Sequence, residues 1–577
     1  MLFQGQSTVD LSLQQQAKTL ADGAPRLLEW LDRVLQDQQL ELQIILDAMN
    51  QTPTEFRESI LAETLLKQQS EDLRQLLTRM QVFELPVPYA ALLAIEPQMD
   101  ALEQQLQKGI ALGLVECSVT TGESLYSLSR MLIPVLEKIQ EPELYRLGLD
   151  ELYRLWWAGE GEYSEEQALE LYRLAGLAQA KEIFIEVGVA LGNRWSEKGR
   201  YREAILMWEQ TLTMRQKLLG NEHLDVATSL NNLAVLYDNQ GQYEEAEPLY
   251  KQALQMYQNL LGNEHSDIAE GLNNLAGLYF NQGRYEEAEP LYKQVLAMRQ
   301  KLLGNEHLDV AQSLNNLAIL YDNQGRYEEV ELLYKQALQM YQNLLGNEHP
   351  DVATSLNNLA VLYDNQGRYE EAELLYKQAL AMYQKLLGNE HLDVAISLNN
   401  LALLYKKQSR YEEAEPLYKQ ALAMIQKLLS NEHLDVAISL NNLAGLYRAQ
   451  GRHEEAEPLY KQVLAMRQKL LGNEHPEVAT SLNNLAVLYY SQGRYEEAEP
   501  LYKQALTMRQ KLLGNEHPDV AASLNNLATL YQQQGQYPEA KALYRQALGI
   551  ANATLGPNHP LTQAIQSWLN SLPQSPD

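Results

Sequence analysis

Asn221 to Gly262 reads NEHLDVATSLNNLAVLYDNQGQYEEAEPLYKQALQMYQNLLG. Val226, Leu230, Leu233, Ala234 and Tyr237 fall at helical spacing, and Gly241 is placed to end that helix in a left-handed conformation. Tyr243, Ala246, Leu249, Tyr250, Ala253, Leu254 and Tyr257 carry the same periodicity into a second helix that stops near Gly262. The small residues Ala234 and Ala246 let the two helices, A and B, approach closely. Pro248 lies about one and a half turns into helix B, where its missing N–H is expected to weaken or bend the helix. Leu332, Leu374 and Ala542 occupy the same column, so proline is tolerated there and not required.

The stretch recurs every 42 residues. Its marker is a histidine, at His223, His265, His307, His349, His391, His433, His475, His517 and His559. A pair of asparagines keeps the same step: Asn231 and Asn232, Asn273 and Asn274, Asn315 and Asn316, Asn357 and Asn358, Asn399 and Asn400, Asn441 and Asn442, Asn483 and Asn484, Asn525 and Asn526. One unit buries its apolar face only against its neighbours, so length does not limit such an array as it limits a single core. The 34 tyrosines against 5 phenylalanines reflect one copied motif.

The order Leu233-Ala234, Tyr237, Gly241, Tyr243, Ala246, Tyr250, Ala253 resembles the tetratricopeptide signature. The long period and the run Asn347 to Ala353 are similar to the kinesin light chain variety. The resemblance covers about residues 181–572 and implies an all-α, right-handed superhelical solenoid. The first unit departs from the pattern, with Trp195 in the Tyr237 column and Val189 and Ala190 in place of the asparagines, as a capping end would. Nine repeats over 181–556 and a capping helix and tail over 557–577 are expected.

Residues before this lack the period. Ala21 to Leu35 reads ADGAPRLLEWLDRVL, a Gly-x-Pro turn entering an amphipathic helix; Met99 to Leu125 reads as a helix and a short hairpin with Thr121-Gly122 at its tip. A helical subdomain over 1–75 and a winged-helix-like subdomain over 76–140 follow. Leu147 to Gln179, with Tyr153, Trp156, Gly161, Tyr163, Ala168 and Tyr172, suggests a worn helical hairpin within a linker over 141–180. Together these resemble the helical and winged-helix subdomains of NB-ARC or STAND signalling ATPases, where a Gly-x-Pro element, matched by Gly23 and Pro25, sits near the nucleotide. No G-x-x-x-x-G-K-[ST] loop occurs to cradle phosphates. The resemblance thus implies a regulatory half with an ATPase partner docking through the N-terminal region; an ordinary helical cap domain is the other reading. Met1 to Gly5, MLFQG, resembles part of a protease tag site and carries no weight.

The net charge of −30 opposes binding to nucleic-acid phosphate. No apolar run is long enough to cross a membrane, and a single cysteine, Cys117, suits a reducing compartment. A cytoplasmic protein is expected, with Cys117 a small packed residue.

Histidines in neighbouring units, about 8–10 Å apart, are too distant to share a zinc ion bound at about 2.0–2.1 Å. They are expected to start the next helix instead. No nucleophile, base and orienting group recur together, so no catalytic, metal or cofactor residues are expected.

The asparagines are the candidates for binding, because an amide offers both donor and acceptor to an extended peptide backbone. In tetratricopeptide domains helix A lines the concave surface. Asn231 and its equivalents are expected to face that groove, unless both amides bridge neighbouring helices. One turn further on the column reads Val235, Gly277, Ile319, Val361, Leu403, Gly445, Val487, Thr529. The next reads Asp238, Phe280, Asp322, Asp364, Lys406, Arg448, Tyr490, Gln532, changing from acidic to basic. Such variation could read different ligand residues or be drift on a solvated face. The expected function is a sensor or adaptor binding a polypeptide in the groove. A regulatory part of a STAND-type ATPase and a multivalent scaffold are the alternatives.

Overall fold

The computed structural model describes residues 11–573 except 23, 38–39, 99–100, 121, 159–162 and 430. Gly23, Thr121, Gly161 and Met1 to Gly5, singled out above, lie outside the described residues. Two compact units are formed, 1–191 and 192–577.

In the first unit, helices Leu11–Ala21, Pro25–Leu35, Leu42–Asn50, Arg57–Lys67 and Glu71–Met80 precede strand β1, Val87–Pro88. Helices Tyr89–Ile95 and Leu102–Ala111 follow, then β2, Val115–Thr120, and β3, Glu123–Leu128. The antiparallel sheet has the order β1-β3-β2. Pro25 opens its helix at the position where a missing N–H costs nothing. That helix buries Leu27, Trp30, Leu31 and Val34, and the Trp30 indole donates to the Leu112 carbonyl at 2.7 Å. Gly109 lets β2 pack close, since a Cβ there would lie 2.9 Å from Val115. Helix Pro142–Leu152 runs into a π turn, Tyr153–Trp157, and pairs with helix Glu165–Leu177, which starts on a Ser164–Gln167 capping box. Cys117 is not packed as expected: it lies exposed on β2, opposite Tyr126 on β3.

The repeats alternate helix A and helix B from Lys181–Glu197 and Tyr201–Leu219 to Pro518–Gln533 and Tyr537–Thr554, closed by Pro560–Ser571. The second repeat, Leu224–Asn239 and Tyr243–Leu261, shows why. His223 is the N-cap of helix A, its Nδ1 accepting the Asp225 N–H at 3.1 Å, and Asp225 favours the positive helix end. Gly241 turns the chain at φ 68°. Ala234 and Ala246 are fully buried where A crosses B. Pro248 does not shorten helix B, which spans 19 residues here and also in the fourth repeat, where Leu332 stands instead. The unmade bond would have reached the Glu244 carbonyl, in the first turn, where water can replace it.

A clamp joins each repeat to the next from the second to the eighth. Glu289, on helix B of the third repeat, accepts from the Tyr321 hydroxyl at 2.9 Å and from Arg326 at 3.1 Å. The Arg326 guanidinium lies 3.6 Å from the Tyr321 ring centre and also binds Glu329 with both arms. The same set recurs from Glu247, Tyr279 and Arg284 to Glu457, Tyr489 and Arg494. Trp195, in the Tyr column of the first repeat, likewise carries Arg200 at 5.0 Å.

The array coils until its turns touch. His475 of the eighth repeat reaches the Asn239 carbonyl of the second at 3.2 Å, and His517 of the ninth reaches Asn281 of the third at 3.2 Å. Nδ1 of each ring already accepts a backbone N–H, so Nε2 carries the proton and donates. Gly241 and Gly283 meet Pro476 and Pro518 along this seam, and Gly325 meets His559. Burial pushes the pKa of His475, His517 and His559 down. The other repeat histidines are only half-buried.

Candidate functional site: the inner face of the array

Neighbouring helices A touch directly, as Leu224–Asn239 does Ser266–Asn281 and Pro350–Asn365 does Leu392–Lys407. Among the described residues, helices B make no contact of that extent. Helices A therefore line the inside of the curve.

The asparagine pairs lie where helices A meet. The second amide of one repeat donates to the first of the repeat before it: Asn274 to Asn231 at 3.2 Å, Asn316 to Asn273 at 2.8 Å, Asn484 to Asn441 at 2.9 Å and Asn526 to Asn483 at 2.9 Å. Asn231 and Asn399 are buried, while Asn232, Asn357, Asn358, Asn400, Asn442 and Asn525, with the other pairs, are half-buried. The ladder is interrupted at mid-array. There Asn399 donates to Ser439 at 3.1 Å, and the carbonyl oxygens of Asn315, Asn357 and Asn399 have no partner.

The adjoining column supplies an apolar floor. Val235, Val361, Leu403 and Val487 are half-buried and Ile319 is exposed. Under it stand buried tyrosines of helix B, from Tyr250 to Tyr544. Their hydroxyls point at this face: Tyr544 donates to Gln532 at 2.9 Å, and a Cβ on Gly277 would lie 3.8 Å from the Tyr292 hydroxyl.

The third column carries the charge. Asp238 accepts from Asn281 at 3.0 Å and Asp322 from Asn365 at 3.2 Å. Burial pushes Asp238 up to about 6 against the opposing Asn281 bond, and pushes Asp322 up as well. Asp364 is buried and paired with Lys407 at 2.8 Å. Burial, helped by Arg448 and Lys407, pushes Lys406 down to about 8. Phe280 and Tyr490 pack on Tyr285 and Tyr495, ring centres 5.6 and 5.7 Å apart.

Sequence reasoning missed Asn281 and Asn365 as partners, although asparagine recurs at 239, 281, 323 and 365. It also missed the bond from an arginine of helix B to a serine of the following helix A, as in Arg467 to Ser481 at 3.0 Å. A cleft of about 960 Å³ lies at the seam, but its arginines, Arg284 and Arg326, are already bound to glutamates. Among the described residues no three His, Cys, Asp or Glu side chains are grouped to hold a metal, and no helix is long and apolar enough to cross a membrane.

The tetratricopeptide repeat profile matches residues 196–259 and, in overlapping segments, 267–566, with a second such profile over 231–302. The chain belongs to the tetratricopeptide repeat family, and its repeats are of the kinesin light chain kind. It is 36% identical to the crystal structure of a Podosopora anserina putative kinesin light chain with nearly identical TPR-like repeats, over 36% of this chain and 98% of that one, at a TM-score of 0.31. It is 28% identical to BtubC (BKLC) from P. vanneervenii, over 40% of this chain and 92% of that one, at a TM-score of 0.34. A STAND protein with a tetratricopeptide repeat sensor from Pyrococcus horikoshii matches 87% of this chain and 72% of its own at 16% identity, with a TM-score of 0.43. No curated protein is significantly similar to the chain.

Proposed function

We propose that this chain is a non-catalytic interaction module that binds an extended polypeptide along the inner face of its repeats, as the sensor or regulatory part of a cytoplasmic signalling protein. The observation that carries this is the alignment of three columns on one face: half-buried amides, an apolar floor, and side chains that change from repeat to repeat. Amides can pair with any peptide backbone, the floor takes apolar side chains, and the changing column selects sequence. Asn231, Asn273, Asn441 and Asn483 already accept one bond within the ladder, and a carbonyl oxygen has room for two. The N-terminal unit would dock or pass on the signal, with a STAND-type ATPase as one such partner.

The test uses the full chain, immobilised and panned against a random library of 15-residue peptides with acetylated and amidated ends. Enrichment by the chain, lost in an Asn273→Ala, Asn316→Ala, Asn441→Ala, Asn484→Ala variant of unchanged helicity, supports the proposal. No enrichment, or enrichment indifferent to those changes, overturns it.

A further inference from the structure

Along the inner face the uncompensated charges are of opposite sign at two places. Asp238 and Asp322 have only neutral amides, Asn281 and Asn365, as side-chain hydrogen-bond partners. Among the described residues neither carboxylate makes an ion pair. Two repeats on from Asp322 the situation reverses. Among the described residues Lys406 makes no ion pair, and the charged groups that act on it are the cations Arg448 and Lys407, the latter already held by Asp364. Arg448 leans on the Tyr460 hydroxyl, which is no anion. The Asp364–Lys407 bridge marks the boundary between the acidic and basic stretches.

The basic end is a shaped place. Gly445, on helix A beside Arg448, leaves room for the Lys406 ammonium, since a Cβ there would sit 2.9 Å from Nζ. The same Cβ would lie 3.5 Å from the Tyr460 hydroxyl. Tyr418, on helix B of the repeat that carries Lys406, has a buried hydroxyl with no partner. Two cations and one unengaged hydroxyl, that of Tyr418, partly withdrawn from water, favour a carboxylate more than they would on an open surface. The amide pairs continue on both sides, from Asn231 to Asn526. A chain lying there runs through the site and does not end in it, so the carboxylate is that of an internal residue.

We infer that the inner face fixes the direction of the polypeptide it holds, taking an aspartate or glutamate side chain against Lys406 and Arg448 and a lysine or arginine against Asp322 and Asp238. The inference rests on the polypeptide-binding reading and adds partner chemistry and orientation to it. Two interhelix steps of about 10 Å separate Asp322 from Lys406, which an extended chain rising about 3.3 Å per residue covers in about six residues. Opposite charges about six positions apart are the signature.

The same capped-peptide panning reads it. Enriched peptides are expected to carry an acidic and a basic residue about six apart, in one dominant order. For a synthetic peptide of that kind, Lys406→Gln with Arg448→Gln lowers affinity at least tenfold. The loss disappears when the peptide's acidic residue is glutamine, a coupling that a merely structural role would not produce. Gly445→Ala, which changes no charge, weakens the acidic peptide in the same way. Enriched peptides without the charge pair, or a coupling below twofold, overturn the inference and leave the polypeptide reading standing. Absence of any enriched peptide overturns both.

Discussion

Gly283→Ala and Gly367→Ala place the same methyl group in the same turn of two repeats, and they should differ because only one turn lies on the seam. The backbone is alike at both, φ 69° at Gly283 and 74° at Gly367. An L-residue in that region costs about 1–2 kcal/mol. At Gly367 nothing lies within 4 Å of the added Cβ, so this strain is the whole effect. At Gly283 the Cβ would fall 2.6 Å from Pro518 Cδ and 3.0 Å from His517 Cδ2. The turns must then separate or repack, at about 1–3 kcal/mol beyond the strain. Urea unfolding midpoints compare the stabilities, and small-angle scattering of both variants reports whether the coil lengthens. The expected result is a larger stability loss and a longer maximum dimension for Gly283→Ala alone. Equal midpoints with superimposable scattering would refute the contact between turns.

Ser409 holds φ 60° in the column where the other repeats have glycine, so Ser409→Gly should stabilise the array by about 1 kcal/mol, read as a raised thermal midpoint; an unchanged or lowered midpoint contradicts this. Arg326→Met removes the stack on Tyr321 and the bonds to Glu289 and Glu329; discounted for partial exposure, the loss should be about 1–2 kcal/mol by urea unfolding, with a broader transition as neighbouring repeats uncouple. Asp238 binds its proton more tightly folded, at about 6 against an ordinary 3.8. Its contribution is therefore complete below pH 4 and is lost as pH rises through about 6. Asp238→Asn should flatten that fall and leave the chain more stable at pH 7; parallel stability curves between pH 4 and 7 would contradict the burial of this carboxylate.

The hairpins were legible in the sequence because each rests on local chemistry. His223 caps a helix two residues away, Gly241 breaks it, and the buried alanines repeat without exception from Ala234 to Ala528. Pro248 leaves the length of its helix unchanged because the bond it removes falls in the helix's first turns, where water can serve. The seam was illegible: His475 and His349 share the same flanking Asn-Glu and Pro, yet only His475 is buried against another turn. That difference comes from accumulated rotation over six repeats, which no local window contains. The amide columns could be found from their period. Their lateral pairing stood only as one of two readings, because whether Asn274 turns to Asn231 or to the trough depends on how far apart neighbouring helices A stand.

The most direct test of the inner face as a polypeptide site is photo-crosslinking with a library-selected peptide. A benzophenone side chain is placed at Ile319, 39% exposed on the inner face, or at Leu374, 58% exposed on helix B. Covalent peptide capture is expected from position 319 and none from 374, with capture at 319 competed by unlabelled peptide. Capture from 374 with none from 319 would place the ligand on the opposite side of the array and contradict it.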